Sequence, residues 1–151
     1  MSHLELVIES DLANISLIAV AMNSICIHVG LNAVQASNVE LCIVEAITNA
    51  IKHAYHGEPE RTISVIVSPY HHRLDIEVRD GGVAMLPCHA ARLMHGSSGD
   101  NIEKIDRLSL PESGRGLQII RDVMDEVVYV RKDNQNHLLL TKYLQPNPPL
   151  Q

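Results

Sequence analysis

The sequence predicts an α+β domain: a two-layer sandwich whose mixed, mostly antiparallel sheet carries its helices on one face. Three observations lead there. The segments run strand, two helices, two strands, a long irregular stretch, one helix and two strands, which is not the strict strand–helix alternation of a parallel sheet. Thr62–Pro69 and Arg73–Asp80 are separated by only three residues, so they pair as an antiparallel hairpin. The 151 residues, 46% hydrophobic and 20% charged, suit a single core. One domain is therefore expected over residues 1–145. Residues 146–151 are expected to form a flexible tail, because Pro146, Pro148 and Pro149 carry no backbone donor.

Leu4-Glu5-Leu6-Val7-Ile8 reads as the first strand, and Ser10 or Asp11 offers a side-chain oxygen to cap the helix that follows and ends at Gly30. Leu12 to Leu31 carries no Lys, Arg, Asp or Glu and approaches the length of a membrane span. Asn14, Ser16, Asn23, Ser24 and His28 interrupt it, however, and Ile15, Ile18, Ala19, Met22, Ile25, Cys26 and Val29 recur at three- and four-residue steps. The expectation is a packed helix and no membrane span. Asn32 with Gln35 three residues on forms a capping box for a second helix, which runs to about Tyr55 and stops at Gly57 and Pro59.

Thr62–Pro69 is rich in β-branched residues and Arg73–Asp80 alternates apolar and polar, with Pro69-Tyr70-His71-His72 between them. Residues 83–112 contain Pro87, Gly96-Ser97-Ser98-Gly99 and Pro111 and read as a loop, long enough to suggest a lid over a ligand. Gly114-Arg115-Gly116 opens a short helix to about Met124. Strands at Val127–Arg131 and His137–Leu144 follow, turned by Asp133-Asn134-Gln135-Asn136.

Composition excludes several functions. A net charge of −6 opposes general binding to nucleic acid, which needs surplus Lys and Arg. With no Trp, no Phe and four Tyr there is no platform for stacking bases. Three cysteines without CxxC spacing predict neither a disulfide framework nor a zinc knuckle, and no motif supplies a base for a cysteine nucleophile. The start carries no secretory signal, so a reducing, cytoplasmic setting is expected. Nine histidines include His53 with His56, His71-His72 and Cys88-His89, none at a zinc-ligand spacing.

Glu45 and Asn49 lie one helical turn apart at the edge of the stripe formed by Val39, Ile43, Ala46, Ala50 and Ala54. They read either as a solvated pair or as two groups addressing one point. Asp80 keeps the parity of Leu74, Ile76 and Val78, so it either faces the core and needs a polar partner or begins a turn where the strand has ended. Gly82 permits a sharp turn after it. Gly114 and Gly116 flank a helix start, where free N–H groups and the positive dipole end suit a phosphate, and Arg115 is either a further contact or a plain surface residue.

Taken together, Glu45-Ala46-Ile47-Thr48-Asn49-Ala50-Ile51-Lys52-His53-Ala54, Arg79-Asp80-Gly81-Gly82 and Ser113-Gly114-Arg115-Gly116-Leu117 resemble the three ATP-binding boxes of the GHKL superfamily. Within it the chain is most similar to the stand-alone anti-sigma-factor serine kinases of bacterial sporulation and stress switches, from the first strand to Leu144. The resemblance implies a Bergerat-type fold, with ATP and Mg2+ as substrate and cofactor. It implies Glu45 as the catalytic base and Asn49 as the magnesium ligand. ATP would be held by Asn49, His53, Asp80, Gly82, Gly114, Arg115, Gly116, Leu117 and Thr141, with Asp80 receiving the adenine amino group and Thr141 near the adenine. The second box departs from the family's Asp-x-Gly-x-Gly at Ala84, which bears on lid movement more than on adenine binding.

The implied activity is ATP-dependent phosphorylation of a serine on a STAS-type antagonist, combined with sequestration of a sigma factor. The alternative is a non-catalytic adaptor that only binds its partner. The first strand and first helix read either as one of the partner surfaces, as a homodimer interface, or as plain core. A histidine kinase catalytic domain is less consistent with a chain that begins at its first strand.

Overall fold

The computed structural model of the chain describes residues 2–95 and 112–145, with residues 112–114 as helix backbone. Most of the expected lid, 96–111, and the expected tail, 146–151, lie outside the described residues.

Strand β1 (Leu4–Glu9) leads into a 3-10 turn, Leu12–Asn14, capped by Asp11, whose carboxylate accepts from the Ala13 N–H at 2.9 Å. Helix α1 (Ile15–His28) buries Ile18, Met22 and Cys26, four residues apart each time, against the rest of the core. Gly30 then takes φ +102°, a conformation open to glycine, and turns the chain. No helix among the described residues is long and apolar enough to cross a membrane.

Helix α2 (Ala33–Asn49) begins with the expected capping box: Asn32 Oδ1 accepts from Gln35 N at 2.9 Å and Gln35 Oε1 from Asn32 N at 3.0 Å. Val39, Cys42, Ile43 and Ile47 are fully buried along it. Each of the Val and Ile side chains contributes roughly 1.5–3 kcal/mol of burial. The helix does not continue regularly to Tyr55. It widens into a π turn over Ala50–Ala54, closed by Tyr55 N donating to Ala50 O at 2.9 Å.

The sheet has five strands in the order β1-β2-β3-β5-β4, and every neighbouring pair is antiparallel. β2 (Thr62–Pro69) and β3 (Arg73–Asp80) form the hairpin with the residue bounds read from the sequence. β4 (Glu126–Lys132) and β5 (Gln135–Tyr143) are joined by Asp133 and Asn134, both at positive φ as a tight hairpin turn requires. The turn is thus two residues long, and Gln135 and Asn136 belong to β5.

One face of the sheet presents Ile63, Val65, Val67, Leu74, Ile76, Val78, Leu138 and Leu140 to the helices. The other leaves Val128, Val130 and Leu139 exposed by 41 to 45%. This is the two-layer arrangement with helices on one face. Helix α4 (Glu112–Val123) packs on α2 and buries Ile120. The segment expected to be irregular contains a further helix, α3 (Pro87–His95), which lies beside β4 and buries Ala90 and Leu93. The thioether of Met94 in α3 accepts from Tyr129 N at 3.3 Å, covering that edge of the sheet.

Candidate nucleotide site

Between the end of α2, the ends of β3 and β5 and the backbone leading to α3 lies a cavity of about 360 Å³, within the range of small-molecule sites. Ala46, Ala50, Val78, Met85 and Leu138 give it apolar walls, and Asn49, His53, Asp80, Asn136 and Leu117 also line it. Asn49, His53, Asp80 and Leu117, expected from three distant segments, therefore meet around one space. The π turn contributes directly, because Ala50, His53 and Ala54 all line the cavity.

Asp80 is 8% exposed and faces inward in register with Asn136. Of the two readings open in the sequence, the buried one holds. Its Oδ1 accepts from Gly82 N at 2.9 Å and from Asn136 Nδ2 at 2.8 Å, which among the described residues leaves Oδ2 for an incoming donor. Burial pushes the carboxyl pKa up, against the lowering effect of Asn136, Gly82 and the charges of Arg131 and His137.

Gly82 lines no part of the cavity. It is buried against the end of the π turn, where a Cβ would collide with the Ala54 carbonyl, and the next residue fastens the contact as Val83 N donates to Ala54 O at 2.9 Å. Its small size serves a close backbone approach.

Glu45 stands one turn before Asn49, and both meet Gly116 of α4. A Cβ on Gly116 would lie 3.4 Å from Glu45 Cδ and 3.5 Å from Asn49 Nδ2, with Glu45 Oε2 nearer still. Asn49 Nδ2 is buried with no hydrogen-bond partner among the described residues. An amide held in this way suits a ligand oxygen as its missing acceptor. Gly114 and Gly116 sit inside α4, whose first residue is Glu112, so the helix begins earlier than the sequence suggested. Gly114 and Arg115 still belong to the first turn of the helix. Arg115 is exposed.

Thr141 is a correction. Alternation along β5 turns Leu138 and Leu140 inward and Thr141 outward, where its hydroxyl donates to Asp75 Oδ1 at 3.0 Å on the opposite face from Asp80. It does not line the cavity. Asn136 stands where Thr141 was expected, and it was missed because it sits in a run of four polar residues that reads as a turn. Its shared parity with Leu138 and Leu140 was the available signal. Tyr129 and Arg131, which contact Asn136, were missed with it.

Cys26 and Cys42 are free and buried, and burial pushes their pKa values to about 11 and about 12. Neither supplies a thiolate at neutral pH. No group of metal-ligating side chains is assembled among the described residues.

The chain resembles known proteins over most of its length. It is 28% identical over 142 residues to "Serine-protein kinase RsbW" of Bacillus thuringiensis (strain Al Hakam), covering 94% of this chain and 85% of that protein. To the protein of the same name from Bacillus mycoides (strain KBAB4) it is 29% identical over the same coverage. Residues 8–142 match the family described as "Histidine kinase-like ATPase domain". With the converging boxes on an antiparallel α+β sandwich, the chain belongs to this histidine kinase-like ATPase domain family.

Proposed function

We propose that the chain is an ATP-dependent serine protein kinase and anti-sigma factor, which phosphorylates an antagonist protein and sequesters a sigma factor or similar target. One arrangement supports it above all. A single cavity has a carboxylate oxygen of Asp80 on its wall and beside it the Asn49 amide nitrogen, both without a partner among the described residues, with Glu45 one turn earlier on α2.

In this reading Asp80 Oδ2 accepts from the exocyclic amino group of adenine, and the apolar walls take the ring faces. Asn49 fits a magnesium ion through its amide oxygen, a hard donor of the kind Mg2+ prefers. When bound, Mg2+ neutralises charge on the phosphate oxygens. Gly114 offers its backbone N–H to the same phosphates with Arg115 beside it, and Gly116 keeps the α4 backbone close to Glu45.

Glu45 acts as general base toward a serine hydroxyl of the antagonist. The O–H bond breaks as the proton passes to the Glu45 carboxylate, and the serine oxygen forms a bond to the γ-phosphorus. The bond from that phosphorus to its bridging oxygen breaks, and its electron pair leaves with ADP. Without a serine in place, the same carboxylate orients water and gives slow hydrolysis.

A partner switch needs protein surfaces. Leu17 and Val20 on α1 are 67 and 68% exposed, which supports a partner or homodimer contact there. Three free cysteines, two buried and Cys88 exposed, and an acidic chain support a reducing, cytoplasmic setting without direct nucleic acid binding. Ala84, in place of the last glycine of the second box, favours the adaptor as second reading. Incubation of the purified chain with ATP, Mg2+ and a candidate antagonist decides between them. Phosphoserine on the antagonist is expected, and intact nucleotide binding without phosphoserine eliminates the kinase.

A further inference from the structure

Asn136 is 5% exposed, and its amide is fully committed within the protein. Nδ2 donates to Asp80 Oδ1 and to Val83 O, both at 2.8 Å; Oδ1 accepts from the Tyr129 hydroxyl at 2.6 Å and from Arg131 Nη1 at 3.0 Å. An asparagine has two donors and two acceptor lone pairs, so none remains for a ligand. The orientation of the amide is settled by its partners. Turned over, its NH2 would face the donor-only guanidinium of Arg131 while its oxygen faced the acceptors Asp80 and Val83.

The two partners of Asn136 Oδ1 reach the same stretch of backbone. Arg131 Nη1 also donates to Gly82 O at 2.6 Å, and the Tyr129 hydroxyl accepts from Met85 N at 2.9 Å. Gly82, Val83 and Met85 are thus all tied, directly or through one side chain, to Asn136. Val83 and Met85 form part of the cavity wall.

We propose that Asn136 is the positioning residue of the nucleobase end of the site: it holds Asp80 with Oδ2 free for the base and fixes the cavity wall from Val83 to Met85 relative to that oxygen. This rests on the reading that the base of a nucleotide sits at Asp80. The base itself is not touched by Asn136. Its removal leaves Asp80 Oδ1 with the Gly82 N–H alone, and a carboxylate torsion is broad and two-fold unless neighbours hold it. Discrimination is then lost between a purine that donates at this point, as adenine does through its amino group, and one that presents a carbonyl, as guanine does.

The test is calorimetric titration with ATP and with GTP, each with Mg2+, on the full chain and on Asn136→Ala, with turnover measured at saturating ATP. The wild type is expected to prefer ATP. In Asn136→Ala the ATP-to-GTP affinity ratio falls about tenfold, as expected for one lost hydrogen bond to a charged group, while kcat changes little. A variant that keeps the wild-type ratio, or weakens both nucleotides equally, overturns the role of Asn136 alone. A wild type without preference for ATP overturns the base-site reading and this inference with it. Circular dichroism reports whether Asn136→Ala folds. If it does not, Tyr129→Phe carries the test: it removes one bond to Asn136 and the acceptor of Met85 N, and an unchanged ratio there overturns the proposal.

Discussion

Gly116 of α4 lies so close to the carboxylate of Glu45 that a β-carbon at this position would stand 3.4 Å from Glu45 Cδ and press on Oε2. The two residues are 71 positions apart in sequence (116 − 45) and belong to different helices. In the proposed mechanism the glycine leaves room for the catalytic base. Gly116→Ala gains helix propensity of up to about 1 kcal/mol and pushes the flexible end of Glu45 aside. Thermal melts are expected to change little, while phosphoryl transfer falls about tenfold or more. Equal activity in Gly116→Ala would show that the position of Glu45 is not critical.

Glu45→Gln removes the proton acceptor and preserves the shape of the side chain. ATP affinity is expected within about twofold of wild type, and transfer to falls by two to four orders of magnitude, the usual contribution of a general base. Calorimetry with a parallel transfer assay measures both. A fully active Glu45→Gln removes the base assignment.

Asn49→Ala deletes a buried polar atom that has no partner among the described residues, so the fold loses little by it. Stability is therefore expected to hold. Magnesium-dependent ATP binding is expected to disappear, so that adding EDTA to the variant changes its ATP affinity no further. An Asn49→Ala chain that still binds ATP more tightly with magnesium would sink the ligand role.

Asp80→Asn tests the base site and has a defined sign in pH. Burial raises the Asp80 pKa above its ordinary value, so the folded chain holds this proton more tightly than the unfolded chain. Its stabilising contribution is present below the unfolded pKa and is lost as pH rises through the raised folded value. Asn at position 80 keeps an oxygen for Gly82 N and Asn136 Nδ2 without the buried charge. Asp80→Asn is thus expected to be at least as stable as wild type at neutral pH, with the preference for ATP lost. ATP binding by the wild type should also weaken as acid protonates Asp80, and this limb should be missing in the variant.

The parts of the fold set by local chemistry were legible. The β2–β3 hairpin shows in its alternation, and Asn32 with Gln35 marks the start of α2 because each side chain satisfies the other's backbone. The parity that turned Leu74, Ile76 and Val78 inward also placed Asp80. Helix α3 was not legible, because Cys88, His89, Arg92 and His95 break its apolar pattern and Pro87 reads as a breaker although proline is well suited to a first helical position. The π turn was invisible to a search at 3.6 residues per turn, and it is stabilised by a tertiary bond, Val83 N to Ala54 O. At Thr141 and Asn136 the parity argument was available and pointed the right way. A family motif, followed without it, placed the hydroxyl on the wrong face.

Thr141→Val tests that correction. Valine keeps the shape of threonine and its preference for a strand, and removes the hydroxyl that donates to Asp75 at 3.0 Å. The lost bond lies on the exposed face and should cost about 1 kcal/mol of stability. Because β5 turns Thr141 away from Asp80, affinities for ATP and GTP should both stay within about twofold of wild type, and a tenfold loss of ATP affinity in a stably folded Thr141→Val would return this residue to the site. The contrast with Asn136→Ala is informative, since the two positions are five residues apart on one strand (141 − 136) and differ in the face they address. A strand that separates the two phenotypes fixes which side of the sheet carries the nucleotide.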